Sequence, residues 1–158
     1  VAPVGYHAWI DDNTVALFVL GDPPTLRVAD LGTGGARVVA EDIGRSLQPI
    51  PGTRDVSFVQ RHPDGTATIM RLPGDGGDPV PIVEAVAGGD FHAWAPDGTI
   101  LMAAGAVVHA ASPAETRTWT PVADFSRLGI SISRLAVSPD ASQIALVAEP
   151  AALDLPTN

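Results

Sequence analysis

The chain has 158 residues, 46% hydrophobic and 17% charged, which suits a single domain with a real core and excludes a chain disordered by composition. It has no Cys, which excludes disulfides, thiolate metal sites and cysteine nucleophiles. Its 18 acidic residues outnumber 9 basic ones, all Arg, and the net charge of −9 disfavours phosphate backbones and anionic membranes, so no nucleic-acid partner is expected.

The chain carries 16 Gly and 15 Pro with no collagen-like period, so they mark turns between short strands. In chain order, Tyr6-His7-Ala8-Trp9 opens the pattern, followed by Asp11-Asp12-Asn13 and an apolar run over 15–20. A turn at Gly21-Asp22-Pro23-Pro24 leads to a run over 26–31, then Gly32-Thr33-Gly34-Gly35 and a run over 37–39. The cycle restarts at Leu47-Gln48-Pro49-Ile50 with runs over 56–59, 66–72 and 80–83, broken at His62-Pro63-Asp64-Gly65 and Gly74-Asp75-Gly76-Gly77. It restarts again at Phe91-His92-Ala93-Trp94 with runs over 100–104, 106–110 and 119–122. A last start, Arg134-Leu135-Ala136-Val137, is followed only by the run over 144–148. Runs of this length bounded by Gly, Pro and Asp are hairpin strands. The single helical turn expected is Ser126–Leu128, because Pro and Gly interrupt longer windows. The longest apolar stretches, 14–20 and 100–108, fall short of the ~18–20 residues of a membrane helix, so no membrane insertion is expected. No charged segment followed by an apolar one opens at Val1, so no signal peptide is read there.

The starts are copies of one phrase. Aligning Trp9, Ile50, Trp94 and Val137 gives a spacing of roughly 40–45 residues, the length of a four-stranded propeller blade. Trp94-Ala95-Pro96-Asp97-Gly98 and Val137-Ser138-Pro139-Asp140 resemble the Trp-Ser-Pro-Asp-Gly phrase of TolB-like β-propeller repeats, a branch of the WD-like propellers. Asp30-Leu31 and Gly34-Gly35 fit the same pattern, whereas Ile50-Pro51-Gly52 and Asp11-Asp12-Asn13 depart from it. The fold class expected is all-β: blades of four antiparallel strands over 5–43, 44–88 and 89–130, a half blade over 131–149, and a tail over 150–158. The resemblance further implies a binding scaffold and an extracytoplasmic, periplasmic location.

A blade buries its two faces only against neighbouring blades, so Trp9, Ile50, Trp94 and Val137 are expected in interblade core. Asp12, Asp97 and Asp140 are expected to serve turn geometry rather than calcium, since turns one blade apart do not converge on an ion. The chain contains no Gly-x-Ser-x-Gly elbow, no His-Glu-x-x-His and no P-loop. No cofactor or metal is therefore expected. Two residues before the Trp place stand His7, Gln48, His92 and Leu135, flanked by Tyr6, Leu47, Phe91 and Arg134 on the opposite face. The resemblance implies that first strands line a central channel, which makes His7, Gln48, His92 and Arg134 the candidate ligand-binding residues. The alternative for the histidines is a hydrogen bond between blades.

The expected function is a non-catalytic scaffold that binds a protein or peptide. The alternatives are the propeller domain of a larger prolyl-oligopeptidase-like hydrolase, or a channel-site enzyme using His7 or His92. Three and a half blades do not close a ring, and a two-stranded sheet is marginal in water. A second copy, further chain or a recruited partner is therefore expected to cover the open ends.

Overall fold

A computed structural model of the chain describes residues 3–151, so most of the expected tail over 150–158 lies outside the described residues. Four antiparallel sheets follow one another along the chain. Blade 1 is β1 (Val4–Trp9), β2 (Thr14–Val19), β3 (Thr25–Asp30) and β4 (Ala36–Glu41). Blade 2 is β5 (Ile43–Pro49), β6 (Val56–Arg61), β7 (Ala67–Leu72) and β8 (Val80–Glu84). Blade 3 is β9 (His92–Trp94), β10 (Ile100–Ala104), β11 (Val107–Ser112) and β12 (Thr116–Asp124). A single 3-10 turn, Ser126–Leu128, leads to the two-stranded blade 4, β13 (Ile130–Val137) and β14 (Ile144–Pro150). The fold is thus all-β, with each four-stranded sheet a meander in sequence order.

The strands alternate side chains between two faces, and each covered face packs on the next blade. Between blades 1 and 2 lie Ala8, Ala16 and Phe18 against Leu47, Val56 and Phe58. Between blades 2 and 3, Val59, Ile69 and Val83 meet Ile100 and Met102. Between blades 3 and 4, Ala93, Leu101 and Ala103 meet Ile132 and Leu135. First strands touch in succession, β1 on β5, β5 on β9 and β9 on β13, which places them round a common centre. At the outer edge, the Trp119 indole N–H donates to the Glu84 carbonyl at 2.7 Å and ties β12 to the end of β8.

Three expectations need correction. The repeat runs one residue earlier in blade 2 than the sequence alignment had it. Pro49 pairs with Val56 as Trp9 pairs with Val15 and Trp94 with Ile100, so Pro49, not Ile50, holds the Trp place. A one-residue slip exchanges faces. Leu47 therefore shares its place with His7 and His92, Ser46 shares its place with Tyr6, Phe91 and Arg134, and Gln48 belongs to the opposite face. Second, Trp9 is 52% exposed rather than buried, because no described blade covers its side of blade 1. Third, the first-blade turn uses Asp11, whose carboxylate accepts the Asn13 and Thr14 amides at 2.9 and 2.8 Å, and not Asp12.

Asp97 and Asp140 do serve turns as expected. Asp97 accepts the Thr99 amide at 2.9 Å beside Gly98, whose φ of 86° is a conformation L side chains rarely adopt. Asp140 accepts from Ser138 and Ser142, bonds that hold its carboxyl down to about 2. Asp97, Asp11 and Asp64 are lowered for the same reason, hydrogen bonds from the turn itself.

Candidate functional site

The four sequence candidates do not assemble into one site. His7 lies exposed on the uncovered face of blade 1, its ring edge-on to Trp9 with centroids 6.4 Å apart. Gln48 is half-buried on the face of blade 2 that meets blade 3, and its carbonyl accepts the Ser57 hydroxyl at 3.1 Å. His92 is wholly buried between blades 2 and 3. Arg134 alone reaches a cavity open to solvent.

Around His92 the chain builds a closed polar cluster that the sequence did not disclose. Ser57 sits at its hub: its Oγ is 2.7 Å from His92 Nε2 and 2.8 Å from the Trp94 indole nitrogen. A serine hydroxyl donates once and accepts twice. The arrangement that leaves no N–H or O–H unpaired has Trp94 and His92 Nε2–H donating to Ser57, which donates to the Gln48 carbonyl. His92 Nδ1 is then a bare lone pair with no partner, a smaller cost than a stranded N–H. Ser46 braces the histidine backbone, donating to the His92 carbonyl at 3.1 Å and accepting its amide at 3.3 Å. Burial pushes the imidazole down to about 3, so it stays neutral and holds the two blades in register. A solute cannot reach this group without separating the blades. The sequence carried only a slight signal for it, the one hydroxyl of Ser57 between Val56 and Phe58 in an otherwise apolar run. His62 and His109 make no such cluster: His62 Nε2 lies 2.9 Å from Thr68 Oγ1, and the buried His109 Nδ1 has no partner.

The second place where functional groups converge is the centre of the first strands. Tyr6, Phe91 and Arg134 occupy one place of the repeat in blades 1, 3 and 4. Arg134 lies 5.1 Å over the Phe91 ring and donates to the Tyr6 hydroxyl at 2.9 Å, and the Tyr6 and Phe91 rings meet edge to face at 6.1 Å. Cation–π and hydrogen bonding together fix the guanidinium plane. Beside it opens a cavity of about 300 Å³ lined by Arg45, Asp90, Phe91, Ser133, Arg134 and Glu149 among others. Asp90 is engaged by Arg61 at 2.9 Å, and it approaches Gly44 so closely that a Cβ there would lie 2.7 Å from its carboxylate. Arg134 spends one donor of five on Tyr6, and a carboxylate could take two of the others. Arg45 was not singled out by the sequence, since its place in the strand became visible only with the register of β5. No group of three metal-ligating side chains occurs among the described residues.

No protein-family model matches the chain, and no curated protein matches it in sequence. Solved structures do match in shape. TolB from Acinetobacter baumannii aligns over 94% of this chain and 38% of its own, with a TM-score of 0.67 at 17% identity. An auxiliary nutrient binding protein from Bacteroides ovatus aligns over 91% of this chain and 36% of its own, with a TM-score of 0.69 at 13% identity. A chain of a nidogen/laminin complex aligns over 85% of this chain and 51% of its own, with a TM-score of 0.63 at 10% identity. The chain thus spans between about a third and a half of the structures it matches. At these identities the likeness shows the fold, a partial TolB-like β-propeller in which the described residues form three four-stranded blades and one two-stranded blade.

Proposed function

We propose that this chain is a non-catalytic propeller scaffold that binds a protein or peptide segment at the centre of its first strands, gripping a carboxylate of that segment with Arg134 and Arg45. The observation that carries this reading is the contact of Tyr6, Phe91 and Arg134 from three different blades, with Phe91 and Arg134 lining a solvent-open cavity and Tyr6 holding the guanidinium. An aromatic floor with an oriented guanidinium is a suitable anchor for an acidic side chain or a chain terminus. The likeness to TolB, to a nutrient binding protein and to a chain of a nidogen/laminin complex supports a binding role over a catalytic one. The TolB-like fold also supports an extracytoplasmic setting, which cell fractionation would test.

The enzyme alternative through His92 is disfavoured by burial, which keeps that imidazole away from any substrate. The hydrolase-domain alternative has no feature of its own in the described residues.

The test is fluorescence polarisation with a panel of short peptides that end in a free carboxylate or carry Asp or Glu, each paired with its amide. Acidic peptides should bind, and Arg134→Ala should weaken them by about tenfold or more, the usual worth of a hydrogen bond to a charged group. Equal binding of acid and amide, or no effect of Arg134→Ala, would overturn the reading.

A further inference from the structure

The face of blade 1 that turns away from blade 2 carries His7 and Trp9 on β1, with Leu17 and Val15 opposite them on β2. Arg27 and Val38 extend this face across β3 and β4. Trp9 is 52% and Val38 46% exposed. In blade 3 the corresponding His92 and Trp94 are covered by blade 2, and both hydrogen-bond the Ser57 hydroxyl.

We infer that this face is a docking surface for a further β-propeller blade, one whose second strand presents a serine or threonine hydroxyl at the place Ser57 holds in blade 2. The interfaces within the chain show why. The residues at the Ser57 place are Ala16 in blade 1 and Leu101 in blade 3, and the strands packed on them carry Leu47-x-Pro49 and Leu135-x-Val137. Where His-x-Trp comes, a hydroxyl meets it; where it does not, an apolar side chain does. Covering His7 and Trp9 with an apolar face would strand an indole N–H and an imidazole without partners, a cost that a single hydroxyl removes. The same logic excludes a second copy of this chain as the fitting occupant. The uncovered face of blade 4 offers Ala145 at the Ser57 place, between Ala136 opposite it and Val147 beside it. The inference is independent of ligand binding at the centre, since it uses the opposite face of β1 from Tyr6.

The probe is an extended chain in which a second copy of residues 43–90 is placed ahead of Tyr6, so that the added blade runs into β1 as blade 2 runs into β9. Exchange of the indole N–H groups is followed by nuclear magnetic resonance. The Trp9 indole should exchange at least about tenfold more slowly than in the unextended chain, towards the rate of Trp94, and Ser57→Ala in the added copy alone should abolish that protection. Unchanged exchange, or equal protection by the alanine copy, overturns the inference. Protection that rises with concentration of the unextended chain, in step with dimer formation, also overturns it in favour of a second copy. Should the extended chain not fold, a photo-crosslinking residue in place of His7, activated in the source cells, decides the matter. Capture of a strand with Ser or Thr at the Ser57 place supports the inference; capture of this chain, of another sequence, or of nothing overturns it.

Discussion

His92 and Trp94 in blade 3 and His7 and Trp9 in blade 1 hold the same two places of the repeat and pair in the same way with their second strands. Yet His92 is 0% exposed, while Trp9 is 52% exposed and His7 lies open beside it. Nothing in the two phrases accounts for the difference. It comes from the neighbour: blade 2 brings Ser46 and Ser57 to the first pair, and no described blade reaches the second. In a repeat fold the sheet supplies the geometry and the adjacent blade supplies the environment, since each unit can bury its faces only against another. A polar pair that is buried, hydrogen-bonded and structural in one blade is therefore an exposed surface in the next.

Truncating the two tryptophans separates the covered face from the open one by the largest margin. Trp94→Ala should cost about 3 kcal/mol or more of unfolding free energy, because it removes packing and a hydrogen bond inside an interface. Trp9→Ala in the same chain should cost under about 0.5 kcal/mol, as exposed substitutions do. Urea denaturation of both variants measures the contrast, and equal losses would show that the two faces are not differently covered.

Ser57→Ala comes next. It strands the Trp94 and His92 N–H groups together with the Gln48 carbonyl, at a cost of about 2–3 kcal/mol. Adding His92→Leu, the side chain that Leu47 and Leu135 already place at this position, should cost less in the Ser57→Ala background than in the native one. A double-mutant cycle reads that coupling, and strict additivity would mean that the two groups do not share a hydrogen bond.

The third prediction concerns acid. The His92 pKa is depressed to about 3 in the folded chain, so below the ordinary value of 6.5 the unfolded chain binds a proton that the folded chain refuses. Stability contributed by this group is intact above about pH 6.5. It falls by about 1.4 kcal/mol per pH unit as pH drops from there towards 3. His92→Leu should remove that slope in denaturation series between pH 6.5 and 4.5, and an unchanged slope would place the acid sensitivity elsewhere.

The smallest effect is at the turns. Asp140→Ala removes hydrogen bonds on an exposed hairpin at the edge of blade 4, and should shift the unfolding midpoint less than Ser57→Ala does.

Much of the fold could be read in advance because its signals are local. Strand runs, Gly and Asp turns and the spacing of Trp9, Trp94 and Val137 follow from chemistry within a few residues, and the Ser126–Leu128 turn was visible in the same way. The second blade was misaligned because its phrase lacks a Trp, and Ile50 is a more natural stand-in for one than Pro49. That one-residue slip put Gln48 with the histidines and Leu47 with the aromatic residues, hiding both real clusters. The central group was partly legible, as Tyr6, Phe91 and Arg134 were already aligned with one another. That they touch depends on how the blades fan round a centre, which no local pattern encodes. The Ser57 hub was illegible for a related reason: its partners are 35 and 37 residues away, and only the packing of two blades introduces them.

A neighbouring blade, and not the phrase itself, decides what a His-x-Trp pair becomes. Indole N–H exchange of Trp9 and Trp94 in the unaltered chain at low concentration tests it most directly. Trp9 should exchange near the rate of a free indole, and Trp94 at least about a hundredfold more slowly because of its bond to Ser57 inside the interface. Similar rates at the two positions would contradict it.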